Sequence, residues 1–166
     1  GDVGLTATMD ANGNVVDASG DVTISGANAI DNTITAASGV ITATTGDADG
    51  NTIHAGTTVA TIIATAGDAT GNILDATTAA TITALAGDAT GNSATGATVT
   101  ISAIDINGND ATTPGLATLT ATDDVTGNSV DAGSITVTAG AQNVVGNSLT
   151  SDTGVTITAA LDVSAG

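Results

Sequence analysis

A turn that ends in asparagine recurs along the whole chain and constrains its fold more than any other feature. Eight asparagines follow one another in steps of 17 to 21 residues, with a mean of 19, and glycine precedes all of them except Asn32. We call these residues the anchors: Asn14, Asn32, Asn51, Asn72, Asn92, Asn109, Asn128 and Asn147. Self-similarity at a fixed period of this length is typical of a solenoid, in which each repeat forms one coil and stacks on its neighbours.

Apolar and polar residues alternate in two segments of every repeat. The position two residues after the anchor is apolar each time, from Val16 to Leu149, and a second alternating segment follows, as in Ile135-Thr136-Val137-Thr138. Alternation with a period of two indicates strands, whereas no segment keeps the 3.6-residue period of an amphipathic helix. We therefore predict an all-β fold, a parallel β-solenoid of eight to nine coils with about 19 residues per coil, as one domain over residues 1–166. Pro114 interrupts one repeat, which we expect to bulge there.

The composition excludes several classes of partner and limits what the core can be. The 166 residues include 17 carboxylates but no Lys, Arg, Cys or aromatic residue. Without basic groups to neutralise phosphates we expect no nucleic-acid partner, and no apolar run is long enough for membrane insertion. A core made of Ala, Val, Ile and Leu has to be narrow and repetitive.

The pattern of the repeat resembles that of a known class of secreted protein. The stretch from Asn128 to Ala139, Asn-Ser-Val-Asp-Ala-Gly-Ser-Ile-Thr-Val-Thr-Ala, is similar to the 19-residue repeats of filamentous-haemagglutinin-type adhesins. The resemblance covers nearly the whole chain. It implies a right-handed β-helix, secretion to the cell surface or the extracellular space, and a role in a surface structure or fibre.

The two ends of the sequence continue the composition of the coils, so we expect the solenoid to be uncapped at both ends. Terminal coils expose apolar core and strand edges unless something covers them. We therefore expect a non-enzymatic extracellular structural protein whose copies stack head to tail into a surface filament or an adhesin-like fibre. The net charge of −17 is expected to keep such fibres apart laterally. The alternative is that the chain is a fragment of a larger adhesin.

The anchors themselves are predicted to form an amide ladder along one corner of the solenoid. Each Asn side chain would donate a hydrogen bond to a carbonyl of the next coil and so satisfy a buried corner. This role is structural.

A second column of polar residues lies four positions before the anchors, where every repeat carries Asp or Asn. One interpretation is an Asp-x-x-Gly turn, in which the carboxylate accepts backbone N–H groups of its own turn. The other is a calcium site, because stacked carboxylates repel one another and a divalent ion would relieve that repulsion. The candidate calcium ligands are Asp47, Asp68, Asp88, Asp105 and Asp124. Calcium is the one candidate cofactor, although neither the EF-hand spacing nor the nonapeptide of calcium-binding β-rolls is present.

The second strand carries a Thr-x-Thr or Thr-x-Ser pattern in seven repeats, and imperfectly as Thr61-Ile62-Ile63 in an eighth, and this pattern suggests an alternative function. Two rows of Thr about 7 Å apart, repeated about every 4.8 Å, form a flat array similar to the surface of ice-binding solenoids. Exposed Thr is also what any outward strand position favours. The candidate ice-binding residues are Thr23, Thr42, Thr61, Thr81, Thr100, Thr118, Thr136 and Thr156.

Enzymatic chemistry fits these residues poorly. Solenoid enzymes that act on polysaccharides use cationic groups or aromatic platforms, and a regular stack of aspartates offers no contrasting environments for an acid and a base. His54, the one histidine, falls in an outward column between Thr35 and Asp75 of the neighbouring repeats. We expect it to be a solvated surface residue and expect no enzymatic activity.

Overall fold

A computed structural model describes residues 1–164, and over these residues the chain forms a parallel β-solenoid with no helix. Each coil contains a long strand, then a two-residue turn strand, then a short anchor strand that follows the anchor. Strands of each kind pair in parallel with their counterparts in the coils before and after. The turn strands form a nine-stranded sheet with one strand per coil, which confirms the predicted fold class and the number of coils.

The strands are numbered in chain order and fall into these three kinds. The long strands are β1 (Val3–Thr6), β4 (Asp21–Gly26), β7 (Ser38–Ala43), β10 (Val59–Ala64), β13 (Ala79–Ala84) and β16 (Thr98–Ala103). The anchor strands are β3 (Val15–Asp17), β6 (Thr33–Ala36), β9 (Thr52–Ala55), β12 (Ile73–Ala76) and β15 (Ser93–Thr95). The turn strands are β2 (Ala11–Asn12), β5 (Ala29–Ile30), β8 (Ala48–Asp49), β11 (Ala69–Thr70), β14 (Ala89–Thr90), β17 (Ile106–Asn107), β19 (Val125–Thr126), β21 (Val144–Val145) and β23 (Val163–Ser164). In the later coils the anchor and long segments join into β18 (Asp110–Ala121), β20 (Ser129–Ala139) and β22 (Ser148–Ala159).

The inward side chains of all three faces form one hydrophobic core along the rod. Alternate residues of each long strand point inward, and from β4 to β20 the residues of the middle inward column are fully buried. They are Ile24, Ile41, Ile62, Ile82, Ile101, Leu119 and Val137. Ala or Gly ends every long strand from β4 onward, so the chain can turn closely into the next face. The small side chains of the sequence therefore fill a narrow interior without aromatic residues.

The backbone at the corner before each anchor explains the Gly-Asn motif. The glycines at this position have φ between 62° and 66°, a left-handed conformation that glycine adopts without steric cost. Asp31 replaces glycine before Asn32 and has φ of 55°. Aspartate is one of the few other residue types that tolerate this region.

The repeat that contains Pro114 bulges, as the sequence predicts. The register between β18 and β20 shifts between Thr113 and Leu116. The Thr113 hydroxyl donates to the Ala97 carbonyl at 2.7 Å and accepts the N–H of Gly115 at 3.1 Å. Because proline has no N–H to offer the sheet, the bulge excludes it from the ladder of main-chain hydrogen bonds.

Candidate functional site

The structure brings all eight anchors together in one ladder along the corner between the turn strands and the anchor strands. Asn72 shows the pattern: its Nδ2 donates to Asn92 Oδ1 at 2.9 Å and to the Ala48 carbonyl of the preceding coil at 2.9 Å. Its main-chain N–H donates to the same Asn92 oxygen, also at 2.9 Å. Each amide thus links three successive coils.

The interior rungs of this ladder are removed from solvent. The six anchors from Asn32 to Asn128 are at most 1% exposed, whereas Asn14 and Asn147 are half-buried. No buried side-chain nitrogen or oxygen in residues 1–164 lacks a hydrogen-bond partner. The ladder therefore helps to set the register in which successive coils stack, because a shift of one coil would leave buried amide groups without hydrogen-bond partners.

The Asp and Asn residues four positions before the anchors form a second ladder, which we call the Asx column. The carboxylate Oδ1 of Asp47 accepts the main-chain N–H of Asp68 at 3.0 Å, and Asp68 in turn accepts that of Asp88 at 2.9 Å. The same bond joins Asp105 to Asp88 at 3.1 Å and Asp124 to Asp105 at 2.9 Å. The turn interpretation placed these hydrogen bonds within one turn, but the structure places them between coils. The reason is that the carboxylates point along the rod axis toward the next turn.

The geometry of the Asx column leaves the calcium hypothesis as a prediction. The column supplies at most one carboxylate per coil, and Oδ1 of each of the five candidate ligands already accepts a main-chain hydrogen bond. Across residues 1–164 no three His, Cys, Asp or Glu side chains lie close enough to share an ion. Calcium takes six to eight oxygen ligands, so an ion here would need water or main-chain oxygens to complete its shell.

The outward residues of the long strands form two parallel columns, which we call the hydroxyl face. The first column contains Thr23, Val40, Thr61, Thr81, Thr100, Thr118, Thr136 and Thr156. The second contains Ser25, Thr42, Ile63, Thr83, Ser102, Thr120, Thr138 and Thr158. All but one of the predicted ice-binding residues lie in the first column.

Thr42 is the exception and corrects the predicted array. It pairs with Ser25 in the second column, while Val40 stands beside Thr23 in the first. The inward Ile41 stacks on Ile24, and this buried pair fixes the register of the strand. The corner between anchor strand and long strand varies in length, so distance from the anchor did not determine the register.

His54 lies on the anchor-strand face and pairs in register with Thr35 and Asp75, as the sequence predicts. A distance of 3.6 Å separates His54 Nδ1 from Asp75 Oδ2, and the two side chains are 52% and 62% exposed. These side chains line an open depression of about 250 Å³ together with Thr77. A contact between side chains this exposed contributes little to stability.

Comparison with known proteins gives no relative for the chain: no family model matches it, and no curated protein or solved structure is significantly similar. Among the described residues there is no helix that is both long and apolar enough to cross a membrane. The resemblance to haemagglutinin-type repeats therefore stays a prediction that rests on the repeat pattern alone.

Proposed function

We propose that this chain is a non-enzymatic extracellular structural protein that builds a filament by stacking its coils head to tail. The observation that carries the proposal is the uniformity of the boundaries between coils. Each one combines parallel main-chain pairing, a rung of the anchor ladder and a rung of the Asx column. Because this boundary repeats along the rod, a second copy placed on an end coil can extend the same pattern without a new kind of contact.

The two end coils offer complementary groups for such a contact. In β22 at one end, Val155 is 43% and Ile157 is 37% exposed, although their counterparts one coil earlier, Ile135 and Val137, are buried. At the other end Leu5 of β1 packs only partly against the core. Stacking β1 of one copy on β22 of another would bury these apolar side chains and pair both strand edges.

The Asx column gives the stack a direction. The side-chain oxygen of Asn143 accepts the main-chain N–H of Asp162 at 3.3 Å, and the carboxylate of Asp162 accepts no hydrogen bond within the described residues. At the opposite end Asp10 accepts from Asn28, and the main-chain N–H of Asp10 has no partner there. An acceptor at one end and a donor at the other favour head-to-tail over head-to-head contact.

Negative-stain microscopy and sedimentation velocity of the purified chain test this proposal. We expect long unbranched fibres. Leu5→Asp places a charge on the inward side of β1 and should leave short rods, whereas Thr6→Asp, on the outward side of the same strand, should still polymerise. Circular dichroism checks that both variants keep their strand content. A monodisperse rod of about 40 Å would overturn head-to-tail stacking and favour a fragment of a larger adhesin.

Ice binding is a second candidate because the hydroxyl face is regular over part of the rod. From β13 to β22 five successive coils carry a hydroxyl residue in both columns, paired in register. The test is thermal hysteresis of the purified chain. Thr100→Tyr breaks the flat face and should abolish it, whereas Thr95→Tyr on the anchor-strand face should not. No hysteresis in the unmodified chain would eliminate this function.

A further inference from the structure

We propose that the hydroxyl face docks a second copy of this chain, so that two rods lie face to face. The starting observation is the distribution of charge around the rod. The chain carries 17 carboxylates and no Lys or Arg, yet neither column of the hydroxyl face contains a charged residue in any coil. The outward column that flanks them on the long strands holds one carboxylate, the exposed Asp21 of β4, and the other carboxylates lie on the other faces and at the corners.

The other faces oppose the approach of a second copy. The corner before the anchors carries the Asx column, where Asp47 and Asp68 are exposed and Asp88, Asp105 and Asp124 are half-buried. The anchor-strand face also carries exposed carboxylates. Two identical faces of either kind would bring like charges together at the distance at which sheets pack, about 10 Å. The hydroxyl face alone allows this approach without opposing carboxylates.

The area of the hydroxyl face fits what a stable dimer buries. Nine coils spaced about 4.8 Å apart give a length of about 43 Å, and the five residues of strand that span the two columns and the flanking column of Asp21 give a width of about 16 Å. Each copy then offers about 700 Å², or about 1,400 Å² for the pair, within the range of specific interfaces. Thr methyl groups, Val40 and Ile63 supply apolar contact on this face, and stacked identical side chains can interdigitate as in the dry interfaces between paired sheets.

This contact differs from the end contact and does not depend on it. The net charge of −17 predicted mutual repulsion on all sides of the rod. The register of the long strands shows that the two columns of the hydroxyl face carry no carboxylate, so two rods can pair laterally through this face. Chains that cannot polymerise at their ends can still pair through this face, and the reverse also holds.

Sedimentation equilibrium of two charge-matched double variants tests the proposal. Thr100 and Thr118 pair directly in adjacent coils of the hydroxyl face, and Thr95 and Thr112 pair directly in the anchor-strand face of the same region. Each double substitution to Glu adds the same charge at outward strand positions. We expect the Leu5→Asp chain without further changes to form lateral dimers. T100E/T118E should weaken dimerisation at least tenfold, and T95E/T112E should leave it within twofold. The Leu5→Asp background removes end stacking from the measurement.

A distance measurement separates the two kinds of contact. The chain has no cysteine, so Thr122→Cys gives one site for a nitroxide label at the margin of the hydroxyl face. Lateral pairing predicts a label-to-label distance under about 30 Å, whereas end stacking alone predicts about 43 Å, the length of one rod. A monomer at all concentrations, an equal effect of both double variants, or the longer distance alone would overturn the proposal. So would a monomer whose hydroxyl face binds ice instead.

Discussion

Removing one amide from the middle of the anchor ladder should cost far more stability than removing one from its end. Asn92 is 1% exposed; its Nδ2 donates to Asn109 Oδ1 at 2.8 Å and to the Ala69 carbonyl at 2.9 Å. Its Oδ1 accepts the main-chain N–H and the Nδ2 of Asn72, both at 2.9 Å. Asn92→Ala therefore deletes four hydrogen bonds at once.

The expected loss follows from the groups that remain buried without a partner. In Asn92→Ala these are the main-chain N–H and one side-chain N–H of Asn72, since the Ala69 carbonyl still pairs within the sheet of turn strands. At about 1–3 kcal/mol for each unsatisfied buried group, we expect the free energy of unfolding to fall by about 4 kcal/mol. That is a large part of the 5–15 kcal/mol by which domains are usually stable.

The first rung provides the control for this substitution. Asn14 is half-buried, and its Nδ2 donates once, to Asn32 Oδ1 at 2.7 Å. Asn32 Oδ1 also accepts the main-chain N–H of residue 14, at 3.1 Å, and this bond remains after Asn14→Ala, so no buried group is left unpaired. The expected loss is about 1 kcal/mol.

Denaturant unfolding followed by far-ultraviolet circular dichroism measures both variants, because the chain has no aromatic residue to serve as a fluorescence probe. Equal losses in Asn92→Ala and Asn14→Ala would refute the reasoning. Asn92→Asp adds a second check: its carboxylate faces two acceptors, Asn109 Oδ1 and the Ala69 carbonyl. The variant should be least stable at neutral pH and recover partly on acidification, because a protonated carboxyl can donate one hydrogen bond.

Two further substitutions test the close packing of the coils and the charge of the Asx column. A Cβ on Gly87 would overlap the main chain of Gly67, so Gly87→Ala should lower the free energy of unfolding by about 3 kcal/mol. Gly91 has φ of 63° but open space around it, so Gly91→Ala should lower that free energy by only about 1 kcal/mol. Asp88→Asn keeps the Oδ1 acceptor and removes a repulsion of about 0.8 kcal/mol from each neighbouring carboxylate at about 5 Å. The variant should therefore have a higher unfolding midpoint than the unmodified chain at low salt, and the difference should disappear at high salt because salt screens the repulsion. Asp131→Asn, whose register partners are threonines, should change the unfolding midpoint little. If calcium stabilises the chain, the stabilisation on adding calcium should be smaller in Asp88→Asn than in the unmodified chain and unchanged in Asp131→Asn. Equal responses of the two Asp variants to salt and calcium would show that the column has no special role.

The sequence predicted the fold and the contents of the ladders because both follow from the period. A residue type that recurs about every 19 positions must return to the same place in each coil. The partners of the Asx carboxylates could not be predicted from the sequence, because each carboxylate could accept an N–H group of its own turn or one of the neighbouring coil. The position of Thr42 was missed for a related reason, since Ile41 and the length of the corner set the register. The uncharged hydroxyl face depends on that register throughout, so it became visible only with the structure.

One polypeptide winds through every coil, and this has a mechanical consequence. A force that separates the two ends of the chain along the rod peels coils off one at a time and does not shear a whole sheet. Each coil of about 19 residues releases about 65 Å of extended chain in exchange for about 5 Å of rod. Every step breaks the same main-chain bonds, one anchor rung and one Asx rung, so successive steps meet nearly equal resistance. Under load the rod would therefore lengthen by more than tenfold in regular increments, and the coils still wound would act as the template on which released chain rewinds.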